Sequence, residues 1–254
     1  MTNSKGSVER AVGRIIPAFM RPAWERLRAS NIGYRIAHGA FWSTIGAGMS
    51  QALMLLISII AARILGKEQF GQYGIIISTV GMFSIFTGFG LGTTATRFVA
   101  EYKRTAPDRA GRIIALSSLI ALGTGTLAAI ILIIIAPWLS AKILAAPQLS
   151  DMLRLAAGLV FFSAVNGAQT GILAGFEAFR GIARINLISG IFSFILTGAG
   201  VFFWGIAGAL TGQTAAVCLS CLIASFALRS EARRFGVQTG YAGCMKERSV
   251  LLSF

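Results

Sequence analysis

The sequence predicts an all-α integral membrane protein built as a bundle of six transmembrane helices. Apolar residues make up 55% of the 254 residues, charged residues only 13%, and the mean hydropathy is +0.73. A water-exposed surface needs a larger share of charged residues than this. The composition therefore excludes a soluble globular domain, and the lengths of the uncharged stretches set the expected number of membrane crossings.

Five stretches of the chain lack Asp, Glu, Lys and Arg and reach the roughly 20 residues that a crossing needs. They are 36–62, 69–96, 113–141, 155–176 and 185–228. The last would extend about 66 Å as one helix, twice the hydrocarbon thickness. It holds Trp204, Gly205 and Gly208 near its middle, so we expect two spans joined by a tight turn there. The six predicted spans are 38–62, 71–96, 113–136, 155–176, 185–204 and 206–228.

The distribution of Lys and Arg predicts that both termini are cytoplasmic. Nineteen of these 23 residues precede the first span, follow the sixth, or lie in connections on the same side; the other four are Arg63, Lys67, Lys142 and Arg154. Cytoplasmic segments carry such an excess, so we expect a multi-pass protein of the inner or plasma membrane. The net charge of +14 then reflects topology and anionic headgroups, and no nucleic-acid partner is expected.

Two terminal segments flank the predicted spans. Residues 1–35 form a basic cytoplasmic leader, in which 8–28 are either an amphipathic helix on the inner leaflet or a disordered segment that only enforces topology. Residues 229–254 form a cytoplasmic tail, and its ending ERSVLLSF is typical of the approach to a seventh span, cut off as it begins.

Small and polar residues recur at helical spacing within the predicted spans. Gly167, Gly171 and Gly175 form a doubled GxxxG row in the fourth span. Helices in lipid associate through close packing of small residues and through interhelical hydrogen bonds, so we expect this row at a helix contact. The bulkier amides either share in the packing or line a hydrated cavity, because an unpaired amide facing lipid is costly. These amides are Gln51, Asn166, Gln169 and Gln213.

The sequence contains no familiar catalytic or metal-binding pattern. No predicted span has a charged residue in its interior, which disfavours ion coupling through a buried carboxylate in this part of the chain. One histidine, His38, and three cysteines fit neither a metal site nor a disulfide framework. No DxD, HExxH, GxSxG or P-loop motif is present. We expect no enzyme activity, no metal and no cofactor.

Four motifs at the ends of the predicted spans resemble polysaccharide-export flippases of the O-antigen type, which belong to the superfamily that includes the multidrug and toxin extrusion (MATE) transporters. They are ARILGKEQFGQYG at 62–74, GLGTTATRFVAEY at 90–102, ILAGFEAFR at 172–180 and GIAGALTGQ at 205–213. Members of this family place two six-helix bundles across a central cavity. The resemblance implies that this chain is the N-terminal half of such a MATE-like transporter: a fragment, a truncated reading frame, or a half that pairs with another chain.

The resemblance also implies a substrate, an oligosaccharide carried on a polyprenyl diphosphate for lipopolysaccharide or other polysaccharide biosynthesis. Arg63 and Arg97 at the span ends are then candidates to attract the diphosphate, because guanidinium pairs with phosphate in a bidentate manner. Arg180, at another span end, is a further candidate to bind the substrate. The four amides are candidates to bind sugar hydroxyls. The implied partners are the lipid-linked oligosaccharide, membrane lipids, and either a glycan polymerase or ligase or the missing C-terminal half.

Three rival functions remain at this point. The first is a multidrug or cation exporter of the same superfamily, which the missing intramembrane carboxylates disfavour. The second is a non-transporting scaffold subunit of glycan assembly, which the half length favours. The third is a membrane glycosyltransferase or phosphatase, which the absence of acid clusters disfavours.

Overall fold

The computed structural model describes residues 31–88, 91–144 and 146–237, and within them every regular element is helical. The five long helices are α1 (Asn31–Gly88), α2 (Leu91–Thr105), α3 (Pro107–Trp138), α4 (Ser150–Gly175) and α5 (Phe179–Arg234). A π-helical turn at Leu139–Ile143 and a 3-10 turn at Pro147–Leu149 connect α3 to α4. The predicted all-α class is confirmed for the described chain, whereas the leader segment 8–28, expected as a helix or as a disordered segment, and the ending ERSVLLSF lie outside the described residues.

Helices α1 and α5 each consist of two helices that meet at a break in the backbone. In α1 the break is at Gly66, with φ 75° and ψ 176°. In α5 it is at Trp204 and Gly205, and Gly205 has φ 58° and ψ −133°. Glycine adopts positive φ without the steric penalty that other residues incur. The turn predicted at Trp204 and Gly205 therefore lies where expected. The four segments are called α1a (31–65), α1b (67–88), α5a (179–203) and α5b (206–234).

The break in α5 reverses the direction of the chain. Gly200 and Gly208 are in backbone contact across it, and a Cβ on Gly212 would lie 2.7 Å from the carbonyl carbon of Leu196. Residues later in α5b contact residues earlier in α5a, so α5a and α5b are antiparallel. Small residues at the crossing allow the two backbones to approach this closely.

The two broken helices lie side by side and run in the same direction. At one level Ser50 of α1a packs against Gly190 of α5a, where a Cβ would lie 3.1 Å from Ser50 Oγ. Further along, Tyr73 of α1b is hydrogen-bonded to Gln213 of α5b. Both breaks consequently lie at the same end of the bundle.

Helix α4 occupies the centre of the bundle, where it contacts α1, α2, α3 and α5. Leu153, near its start, shares a buried cluster with Ile76 of α1b. Ile172, near its end, shares another with Val99 of α2. Helix α1b therefore contacts the start of α4, and α2, which follows it in the chain, contacts the end of α4. Both helices run parallel to α4. Together they extend from the end of the bundle with the breaks to the opposite end.

Four stretches of the described chain are long and apolar enough to cross a membrane, with each broken helix counted as one stretch. They are Ala47–Thr87, Pro107–Ile143, Pro147–Gly175 and Phe179–Arg234. The helices continue beyond the uncharged stretches of the sequence: α2 carries Lys103 and Arg104 in its last turn, and α3 begins at Pro107 with Asp108 in its first turn. These charges suit the dipole at each helix end, so charge-free stretches underestimate helix length.

Candidate functional site

The contact between α2 and α4 is the first feature that shapes the candidate site. A Cβ on Gly171 would lie 2.6 Å from the Cα of Gly92, and a Cβ on Gly175 would lie 2.8 Å from the Cβ of Val99. The hydroxyl of Thr96 donates to the carbonyl oxygen of Gly171 over 2.8 Å. Backbones this close leave no space for a side chain, which is the usual role of small residues between membrane helices.

The glycine row is only partly at this contact. Gly171 and Gly175 pack as predicted. The carbonyl oxygen of Gly167 lies 3.4 Å from the Cβ position of Gly92, whereas no described atom lies within 4 Å of a Cβ built on Gly167 itself, which is an exposed residue. Gly167 therefore meets α2 through its backbone oxygen and not through its Cβ position. The reason is geometric: a four-residue step rotates about 40° around a helix, so the three Cβ positions do not face α2 equally.

A polar seam between α4 and α5 lies behind this contact. Asn166 Nδ2 donates to Ser220 Oγ over 2.8 Å, and Ser189 Oγ donates to the same oxygen over 2.7 Å. Thr170 Oγ1 donates to Asn166 Oδ1 over 3.2 Å. The seam thus joins α4 to both segments of α5 through neutral groups.

Gln169 extends the polar seam by one turn. Its Nε2 donates to Ser225 Oγ over 2.9 Å, whereas its Oε1 is buried without a hydrogen-bond partner among the described residues. Buried amide oxygens are normally paired. Because this oxygen is buried, water or a ligand hydroxyl reaches it only when the helices around it separate.

The other two predicted amides lie elsewhere. Gln213 Oε1 accepts a hydrogen bond from Tyr73 Oη over 2.8 Å, two turns nearer the break in α5 than Ser220. Gln51 is exposed on α1a. The structure therefore brings Asn166 and Gln169 together in the polar seam, leaves Gln213 in a separate contact between α1b and α5b, and places Gln51 apart from both.

The three predicted arginines are exposed and occupy opposite ends of the bundle. Arg63 lies three residues before the break at Gly66. Arg97 lies near the other end, with its guanidinium carbon 5.9 Å from the centre of the Phe98 ring. Arg180 is on the first turn of α5.

The distance between the two ends of the bundle follows from two contacts along helix α5b. Gln213 of α5b is hydrogen-bonded to Tyr73, and Ala232 of α5b shares a buried cluster with Val99. At the rise of an α-helix, Gln213 and Ala232 are about 29 Å apart. Arg63 and Arg97 cannot contact one diphosphate at the same time.

Sequence reasoning missed one charged residue, Lys103 of α2, which is only 5% exposed. Its Nζ donates to the carbonyl oxygen of Gly175 over 3.0 Å and to Glu177 Oε1 over 2.9 Å. Both acceptors lie more than 70 residues further along the chain. No local pattern distinguishes Lys103 from its neighbour Arg104, which is exposed, so only the tertiary contact reveals its burial.

The polar side chains between the described helices are mostly neutral hydrogen-bonding groups. Within 44, 47–87, 92–144 and 146–237, where side chains are described, no three His, Cys, Asp or Glu residues cluster as a metal site would require. The buried polar groups are mostly amides and hydroxyls. Such groups exchange hydrogen bonds with sugars and water.

The family of the protein follows from a match to a sequence profile. The profile described as "Polysaccharide biosynthesis protein" matches residues 36–243. The chain belongs to the polysaccharide biosynthesis protein family. No curated protein sequence matches it.

Two solved transporter structures share the fold of this family member. One is the outward-facing conformation of a multidrug resistance MATE family transporter of the MOP superfamily, with a TM-score of 0.61 and 17% identity over 74% of this chain and 44% of that chain. The other is a MOP superfamily transporter from Pyrococcus furiosus, with a TM-score of 0.63 and 15% identity over the same shares. The family member spans less than half the length of either transporter, and the likeness shows a MATE-type helical fold.

Proposed function

We propose that the chain is part of a flippase that moves a polyprenyl-diphosphate-linked oligosaccharide from the cytoplasmic to the outer face of the membrane. Membership of the polysaccharide biosynthesis family and the transporter fold support a membrane transporter. The observation that carries the choice of substrate is the neutral polar seam of α4 and α5, with the unpaired Oε1 of Gln169. Sugar hydroxyls both donate and accept hydrogen bonds, so amides and hydroxyls suit them.

Six membrane crossings with both termini cytoplasmic are part of the proposal. The breaks at Gly66 and Gly205 divide two of the four apolar stretches, and α5a and α5b pack antiparallel against each other. Each segment then crosses once, in alternating directions. The end that holds the breaks faces outward, because the Lys and Arg excess lies at the opposite end.

The positions of the arginines fit a cycle of alternating access. All three are exposed, and in the proposed orientation Arg97 and Arg180 lie at the cytoplasmic end and Arg63 at the outer end. A diphosphate that enters from the cytoplasm would contact Arg97 and Arg180, and a diphosphate that leaves on the outer side would contact Arg63. Guanidinium keeps its charge when partly buried, which favours it over ammonium for replacing the water around the diphosphate.

A second six-helix bundle supplies the other wall of the cavity in this proposal. The chain covers 44% of each transporter that shares its fold, which leaves room for such a bundle. In two-bundle transporters the substrate site lies near the bilayer midplane between the halves. The glycan polymerase or ligase that uses the translocated oligosaccharide is the second proposed partner.

Localisation of the lipid-linked oligosaccharide in cells tests the function. We expect deletion of the gene to trap the oligosaccharide on the cytoplasmic leaflet, where an added glycosidase reaches it only after the membrane is opened. The native gene should restore access from outside. Normal translocation with a raised sensitivity to organic cations would identify a multidrug exporter instead. Normal translocation with loss of polymer alone would identify a scaffold subunit.

A further inference from the structure

The cytoplasmic ends of α2, α4 and α5 are joined by four residues, which we call the Lys103 clasp: Lys103, Gly175, Glu177 and Phe235. Lys103 is contributed by α2, whereas Gly175 and Glu177 lie at the end of α4 and Phe235 follows α5. Besides its bonds to Gly175 and Glu177, the Lys103 ammonium lies 5.8 Å from the centre of the Phe235 ring. One buried cation thus contacts three helix ends.

Helices α4 and α5 end in the same way. After α4, the N–H of Glu177 donates to Ala174 O, and that of Ala178 to Leu173 O. After α5, the N–H of Gly236 donates to Arg233 O, and that of Val237 to Ala232 O. Both patterns are Schellman motifs, in which the residue after the cap adopts a left-handed conformation.

The two motifs differ in the residue at the left-handed position. Gly236 has φ 67°, whereas Glu177 has φ 58°. Glycine is the usual residue there because any Cβ is strained. Glu177 is the only non-glycine residue with positive φ among those described. A side chain that persists in a strained conformation is held by its contacts, and the Glu177 carboxylate contacts Lys103.

The caps of the two motifs also contact each other. Phe176 and Phe235 stack with their centroids 5.5 Å apart and their planes at 24°. Lys103 therefore lies where the two helix ends meet, and its ammonium satisfies a carbonyl oxygen that the end of α4 would otherwise leave without a partner. Removing Lys103 would leave that oxygen and the Glu177 carboxylate without this cation.

We propose that Lys103 is a positioning residue that fixes the cytoplasmic end of α2, and with it Arg97, against the ends of α4 and α5. The inference rests on the proposed function, because Arg97 lies on the same helix as Lys103 and is the arginine assigned to the incoming diphosphate. Lys103 itself has no contact with substrate in this role. The clasp makes the three helix ends move as one body when the bundle rocks.

Spin labels can report the clasp without any transport assay. One label replaces Glu101 on α2 and the other Arg233 on α5b, both exposed, in a full-length protein whose three cysteines are replaced. We expect Lys103→Met to broaden the distance distribution between the labels. Tyr73→Phe is the matched control, because it removes a part-buried interhelical hydrogen bond near the other end. It should lower the melting temperature without broadening the distribution.

Glu177→Gly is the decisive second variant, which also covers the case in which Lys103→Met fails to fold. Glycine removes the backbone strain at φ 58°, so the variant would be at least as stable as the native protein if the carboxylate had no role. We expect instead a melting temperature lower by about 3 °C or more and the same broadening. A native-like distance distribution in either variant, or a raised melting temperature for Glu177→Gly, would overturn the clasp. A failed flippase assay would leave this result unaffected.

Discussion

Gly171 of α4 packs directly against Gly92 of α2, with so little space that a Cβ on Gly171 would lie 2.6 Å from the Gly92 Cα. Dispersion and backbone contact stabilise this crossing, because the hydrophobic effect adds little between helices in lipid. The hydroxyl of Thr96 bonds to the carbonyl oxygens of both glycines, which ties the two backbones at the same point.

The first prediction concerns this crossing. Gly171→Leu should destabilise the protein in detergent by about 1–3 kcal/mol, because overpacking must push α2 away from α4. Gly167→Leu is the control: no described atom lies within 4 Å of its Cβ position, and leucine replaces a poor helix former, so stability should stay the same or rise. Thermal unfolding of both variants measures the difference. Equal melting temperatures for the two variants would show that α2 does not pack on Gly171.

The second prediction concerns the break in α5. Gly205→Ala should lower stability by about 1–3 kcal/mol, because φ 58° and ψ −133° are strained for any residue with a Cβ. Gly123→Ala is the matched control, since Gly123 is inside helix α3 and no atom of the described residues lies within 4 Å of its Cβ position. It should raise stability by about 0.5–1 kcal/mol. Chemical denaturation of both proteins is the measurement, and a neutral Gly205→Ala would show that α5 is unbroken.

The third prediction concerns topology. Alkaline phosphatase is active only outside the cytoplasm, so a fusion after Lys142 should be active and a fusion after Arg104 silent. The motivation is the split of 19 to four basic residues between the two sides of the predicted spans, of which the larger group is expected in the cytoplasm. A matching set of cytoplasmic reporters at the same sites should give the opposite signal. The reverse pattern would invert the bundle and exchange the proposed roles of Arg63 and Arg97.

The fourth prediction concerns Arg97. In a strain that depends on the full-length gene for its surface glycan, Arg97→Lys should keep normal expression and topology but reduce glycan export, because an ammonium lacks the bidentate geometry for diphosphate. Arg229→Lys, a change at another exposed arginine near the end that we propose to be cytoplasmic, should export normally. If Lys and even Ala at position 97 support full export at normal protein levels, Arg97 is only a membrane anchor.

Sequence patterns predicted which residue types form the candidate site better than they predicted which residues pair with each other. The Asn166 and Gln169 amides do lie together between helices, but their partners Ser220 and Ser225 are more than 50 residues away. Spacing along one helix shows which residues share a face and does not show which helix covers that face. The same limit explains why the Cβ position of Gly167 is not covered by described residues and why Lys103 is buried, since both depend on where α2 lies against α4.

The sequence by itself determined that this chain is a helical membrane protein with a turn at Trp204 and Gly205. The reason is that hydrocarbon admits only long uncharged helices, and only glycine-containing segments reverse them cheaply. Tertiary structure alone decided which groups pair: Tyr73 with Gln213, Asn166 with Ser220, and Lys103 with Glu177. Polar pairs between distant helices form only once packing has excluded other partners, and that packing is a property of the whole bundle.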